Sequence, residues 1–160
     1  MIYRDTVRPE WVDYNGHLRD AFYMLIYSLA TDAFMDRIGL DDAGRRARQR
    51  TLYTLEAHVS YLREIKEGAA VRVDVRVVGH DRKRVHLYME MFEGDAAEPA
   101  SACEQMLLHI DSSGEPKSAS FDEDIAARIA AESGVALKDA RYAGRVIGLP
   151  ARAASAGAPA

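Results

Sequence analysis

The chain has 160 residues, 48% of them hydrophobic and 29% charged, with a formal net charge of -4 at pH 7. That length and apolar fraction suit one core rather than two domains, and the small negative balance disfavours a nucleic-acid surface. The single cysteine, Cys103, excludes an intramolecular disulfide, and no apolar run near Met1 resembles a signal peptide or membrane span, so a soluble cytoplasmic protein is expected.

Residues 2–12 read as an extended segment, with Pro9 lacking the N–H that a central strand needs, so an edge or bulged strand is expected. Residues 13–20 form a polar bend around the turn pair Asn15-Gly16. Residues 21–38 then carry apolar side chains, among them Phe22, Tyr23, Ile26, Leu29 and Phe34, around nearly the whole circumference of a helix, the pattern of a buried one. Gly39 ends it, and residues 41–50 are a charged short helix or loop.

From residue 51 the period changes to two. In residues 51–62, Leu55, Ala57, Val59 and Tyr61 are expected on one face and Thr54, Glu56, His58 and Ser60 on the other, an unusual polar face for a central strand. Val71, Val73, Val75 and Val77 alternate with charged residues, residues 79–84 turn, and Val85, Leu87, Met89 and Met91 mark the next strand. After a loop at 94–99, residues 101–110 complete four strands joined by short turns and therefore antiparallel. Residues 122–132 have helical composition, and 151–160 are an Ala, Gly and Pro tail expected to be flexible beyond a single domain at 1–150. One strand, one buried helix, then an antiparallel sheet is an α+β arrangement, a sheet wrapped around one long helix in the hot-dog layout.

The bend is the candidate active site. Asp13 stands at its start, and the amides of Asn15, Gly16 and Leu18 are read as helix N-terminal donors that polarise a carbonyl. From the bend alone Asp13 reads first as a helix N-cap, and His17 as a supporting or structural histidine. Glu56 and His58 project from one strand face, either towards a cleft or into a solvated, mutually bonded surface. Trp11, Tyr14, Tyr23 and Tyr61 read first as ordinary core or interface aromatics. Arg82, Lys83 and Arg84 read first as a solvated turn and second as a phosphate site. The five histidines are scattered and no metal-ligand, GxSxG or Cys-His pattern occurs; Cys103 reads as a small core residue.

Asp13, Asn15-Gly16-His17 and Tyr23 match the Asp-x-x-Gly-His-x-x-x-x-x-Tyr pattern of the hot-dog acyl-CoA thioesterases of the 4-hydroxybenzoyl-CoA type, which this chain resembles over most of its length. More narrowly, Trp11-Val12-Asp13-Tyr14-Asn15-Gly16-His17, Tyr53-Thr54-Leu55-Glu56-Ala57-His58 and Glu104-Gln105-Met106-Leu107-Leu108-His109-Ile110-Asp111 look like the betainyl-CoA thioesterases of carnitine breakdown. Leu18-Arg19-Asp20 departs from the Val-Asn-Asn of many relatives and the Met-Asn of the carnitine-linked ones, which alters the pocket beside the helix start.

The resemblance implies thioester hydrolysis with Asp13 as nucleophile or general base, reversing the order of its two readings. It also implies an acyl-CoA substrate that brings its own coenzyme A, no further cofactor, and a homodimer or homotetramer with sites between subunits. Through the betainyl group it further implies that the faces of Trp11, Tyr14, Tyr23 and Tyr61 hold a quaternary ammonium, at about 0.5–2 kcal/mol per contact. A small neutral or aromatic acyl group, a hot-dog hydratase or dehydratase, and a non-catalytic acyl-CoA-binding module remain the alternatives.

Overall fold

A computed structural model describes residues 1–134 and 136–149, and the expected flexible tail at 151–160 lies outside the described residues. β1 (Tyr3–Thr6) leads through a 3-10 turn (Pro9–Trp11) to α1 (Asp20–Ile38) and α2 (Asp42–Arg48). Four long strands follow: β2 (Arg50–Tyr61), β3 (Ala70–His80), β4 (Arg84–Glu93) and β5 (Ser101–Asp111). A short β6 (Lys117–Ser118) and α3 (Glu123–Glu132) come next. Among the described residues these strands pair antiparallel, in the order β1-β3-β4-β5-β2 with β6 against β5.

The sheet wraps α1 because alternate residues of β3 and β4 are apolar on that face, while β5 adds Cys103 and Leu107 among the buried polar Ser101, Gln105 and His109. Val85, Leu87, Met89 and Met91 of β4 are wholly buried, and they join Val71, Val73 and Val77 of β3 against Ile26, Ala30, Phe34 and Ile38 of α1. Each large side chain removed from water here contributes about 1.5–3 kcal/mol before entropy is counted. Gly39 ends α1 at φ 90°, a left-handed conformation glycine adopts freely, and Leu40 N–H bonds back to Met35 O at 2.8 Å.

Four expectations need correction. The extended segment at 2–12 is a strand only to Thr6, because Pro9 opens a 3-10 turn; its position at a sheet edge is as expected. α1 begins one residue early and is buried on one side only: Ala21 and Ser28 are exposed and Leu25 is 38% exposed. β2 is an edge strand rather than a central one. Its face assignment breaks at a bulge between Thr54 and Glu56.

That bulge inserts an unpaired residue, Leu55, and so reverses the parity of the strand. Before it, Leu52 and Thr54 stand opposite the inward-facing His109 and Leu107. After it, Ala57, Val59 and Tyr61 take the inward face, opposite Gln105, Cys103 and Ser101, and Glu56, His58 and Ser60 turn outward.

Candidate active site

The bend before α1 is a closed loop stapled by one carboxylate. Asp13 Oδ1 accepts the N–H groups of Asn15 at 2.8 Å and His17 at 3.1 Å. Asp13 N–H donates to His17 O at 2.9 Å, and Gly16 N–H donates to Asp13 O at 3.0 Å. Gly16 closes the loop at φ 75°. The helix itself starts later, with Arg19 as N-cap, so Asp13 is not a helix cap.

This geometry also moves the expected carbonyl-polarising donors. The amides of Asn15, Gly16 and His17 are engaged with Asp13, and Leu18 N–H donates to Ile65 O at 2.8 Å. Asn15, Gly16 and Leu18 therefore build the loop and have no main-chain donor to spare. Among the described residues, the first amide of α1, that of Asp20, has no acceptor, while Ala21 N–H meets Asp20 Oδ1 at 2.8 Å. The unpaired helix donor is real but sits at Asp20.

Asp13 is held below its ordinary pKa, first by the His17 N–H bond, with the Asn15 N–H bond and the charges of His17 and Arg19 acting in the same direction against desolvation. It is ionised at neutral pH. Its Oδ2 has no hydrogen bond among the described residues, so one oxygen anchors the loop and the other is uncommitted. His17 reaches Glu64 Oε2 through Nε2 at 3.3 Å, which orients the ring beside the loop.

Asp13, Asn15, His17 and Leu18 line one side of a cleft of about 350 Å³, and Asp20, Tyr23 and residues 61–64, with Tyr61, Arg63 and Glu64 among them, line the rest. Tyr23 and Tyr61 meet edge to face, with centroids 5.2 Å apart and planes at 86°. Tyr23 donates its hydroxyl to Arg63 O at 3.2 Å, and Tyr61 donates to Asp20 O at 3.3 Å, tying the end of β2 to the start of α1. Burial is the main cause raising both phenol pKa values, so both remain protonated donors.

Other expected site residues are placed elsewhere. Trp11 is 4% exposed, stacks on Phe22 at 5.8 Å and carries the Arg8 guanidinium 4.5 Å from its ring centroid, so it is a core residue outside the cleft. Tyr14 is 93% exposed at the loop tip and does not line the cleft. Glu56 and His58 occupy the outer sheet face with His86, Glu104 and Arg145. There Glu104 binds His86 Nε2 and the Gly144 N–H, each at 2.6 Å.

The turn bearing Arg82, Lys83 and Arg84 lies at the opposite end of the sheet. Arg84 pairs with Leu108 and Met91 with Ser101, the neighbour of Tyr61, so the separation along the strands is about 24 Å at about 3.4 Å per residue. Arg84 is held by Asp81 at 2.6 Å. Sequence reading missed Asp20 and Glu64: Asp20 looked like part of the bend, and Glu64 reaches the cleft only because residues 65–67 pair with 16–18, a long-range contact without a local signal.

A family model described as the thioesterase-like superfamily matches residues 7–129. The betainyl-CoA thioesterase of Pseudomonas aeruginosa PAO1 is 49% identical over 150 residues, covering 92% of this chain and 94% of that protein. A solved protein of Pseudomonas putida KT2440, provisionally named a thioesterase, matches with TM-score 0.79 at 45% identity over 94% of this chain and 96% of its own. A Staphylococcus aureus protein solved in complex with CoA matches with TM-score 0.82 at 30% identity, over 92% and 94%.

Proposed function

The chain belongs to the thioesterase-like superfamily and hydrolyses acyl-CoA thioesters, and from that premise we propose that its substrate is betainyl-CoA and that Asp13 drives the reaction. Identity of 49% with a betainyl-CoA thioesterase, over nearly the full length of both chains, supports the substrate. The observation that carries the mechanism is Asp13 itself, ionised, with Oδ1 pinned by two main-chain donors and Oδ2 uncommitted beside the cleft. Oδ2 either takes a proton from the attacking water or adds directly to the thioester carbon. The charge gathering on the carbonyl oxygen is met by the Asp20 N–H, and the C–S bond breaks as the carbonyl re-forms. In the general-base route Asp13 passes the proton taken from water to the departing CoA sulfur. In the direct route CoA leaves as thiolate, and water then hydrolyses the Asp13 mixed anhydride, supplying the proton that completes the thiol. His17 keeps the loop in place.

The sites lie between two copies of the chain. One sheet edge, β1, has four residues, whereas β2 has twelve and exposes Tyr53, Leu55 and Tyr61 by 47%, 52% and 54%. A long apolar edge is a pairing surface. Antiparallel pairing of two β2 strands lays the Arg50 end of one against the Tyr61 end of the other. This brings the partner's Arg82 and the partner's Lys83 to within about three strand spacings, roughly 14 Å, of the Tyr61 end. The basic turn then serves the CoA phosphates of the neighbouring site rather than its own.

Free-thiol release from a panel of acyl-CoA thioesters tests the substrate. Betainyl-CoA is expected to give the highest kcat/KM. A higher value for a small neutral or aromatic acyl-CoA would replace the betainyl assignment.

A further inference from the structure

We infer that Asp20 and Tyr61 are specificity-determining residues that hold the quaternary ammonium of the substrate inside the Asp13 cleft. This rests on the betainyl-CoA reading and goes beyond it by assigning the residues that read the cation.

Size makes the first step. In a betainyl thioester one methylene separates the reacting carbonyl carbon from the quaternary nitrogen, a distance of about 2.5 Å by ordinary bond lengths. A carbonyl within reach of Asp13 therefore leaves its cationic head in the same cleft, and the groups lining that cleft must recognise it. Trp11 cannot serve, being buried beneath Phe22 and Arg8. Tyr61 can: it lines the cleft and is fixed by its contacts with Asp20 O and Tyr23. Aromatic faces attract such cations.

Charge makes the second. A helix N-terminus ordinarily favours an anion, but Asp20 Oδ1 accepts the Ala21 N–H and sets its own carboxylate against the positive end of α1. Asp13 and Glu64 add two more carboxylates to the lining against the His17 ring that Glu64 binds, while Arg63 turns its guanidinium onto the Glu98 carbonyl. A trimethylammonium offsets this negative field without donating a hydrogen bond, and a neutral acyl group gains nothing from it. Asp20 thus acts twice, its amide towards the carbonyl oxygen and its carboxylate towards the head group.

The test compares kcat/KM for betainyl-CoA with that for its neutral isostere, 3,3-dimethylbutanoyl-CoA, in wild type, Asp20→Asn, Asp20→Glu and Tyr61→Leu. Wild type is expected to favour the cation by about tenfold or more. That ratio should fall about fivefold to tenfold in Asp20→Asn and Tyr61→Leu and stay near wild type in Asp20→Glu, whatever the absolute rates, with circular dichroism confirming the fold. An unchanged ratio in both Asp20→Asn and Tyr61→Leu would overturn the inference. Equal use of both thioesters by wild type would overturn it too, leaving the thioesterase standing. Release of thiol from neither would instead remove the betainyl-CoA reading on which it rests.

Discussion

If the basic turn of one copy serves the cleft of the other, two crippled variants should repair each other. Asp13→Asn removes the reacting carboxylate, and the double variant Arg82→Ser/Lys83→Ser removes the phosphate contacts. Charge-assisted bonds to phosphate are worth about 1.5–3 kcal/mol each, so the double variant alone should lose roughly 10²- to 10⁴-fold in kcat/KM. Coexpressed in equal amounts, the two chains give half of all dimers as hybrids. Each hybrid has one site with both defects and one site with neither, so about a quarter of all sites are intact and activity should recover to about 25% of wild type. Within a single chain the turn and the cleft are about 24 Å apart along the strands, and a site built from one copy would yield no intact sites at all. Thiol release at low substrate by the unfractionated mixture gives that number, and tandem purification of the hybrids through different tags on the two chains should raise it to about 50%. Activity no greater than the sum of the separate variants would refute the shared site.

Other consequences follow from individual placements. Because the loop donors depress the Asp13 pKa, the active ionised form persists in acid: kcat/KM should stay flat from neutral to about pH 5 and fall only below the ordinary carboxylate range. The same depression means that any stability it contributes is present above the unfolded pKa and lost as pH falls through the folded one. The double variant Glu56→Gln/His58→Asn, altering the outer sheet face away from the cleft, should keep kcat/KM within about threefold of wild type; a loss of a hundredfold would return these residues to the site. Met89→Ala, emptying a wholly buried position on the helix-facing side of the sheet, should cost about 2–5 kcal/mol by chemical denaturation.

Local patterns carried most of the fold. The valine alternation of β3, the Val85 to Met91 alternation of β4 and the apolar run before Gly39 are readable because burial on one face leaves a period in sequence. The bulge at Leu55 is not, since one inserted residue changes which parity faces the helix while a run such as Thr54 to Tyr61 looks regular throughout. Edge position likewise depends on the order in which strands pair. At the site, Asp13 and Gly16 were legible from the turn and motif, but the amides that looked free are consumed by Asp13 and by residues 65–67, which meet the loop only after folding. Trp11 shows the same limit: its place beside Asp13 in sequence says nothing of its ring, which points into the core.

The role of Asp13 is tested most directly by steady-state hydrolysis of betainyl-CoA by Asp13→Asn. Asparagine retains an acceptor oxygen for the Asn15 and His17 N–H groups, so the loop should persist and the far-ultraviolet spectrum should be unchanged. Only the negative charge and the basic oxygen are lost. The expected result is a fall in kcat of about 10²- to 10⁴-fold with KM little altered; turnover within a few fold of wild type would contradict the assignment of Asp13 as the group that drives the reaction.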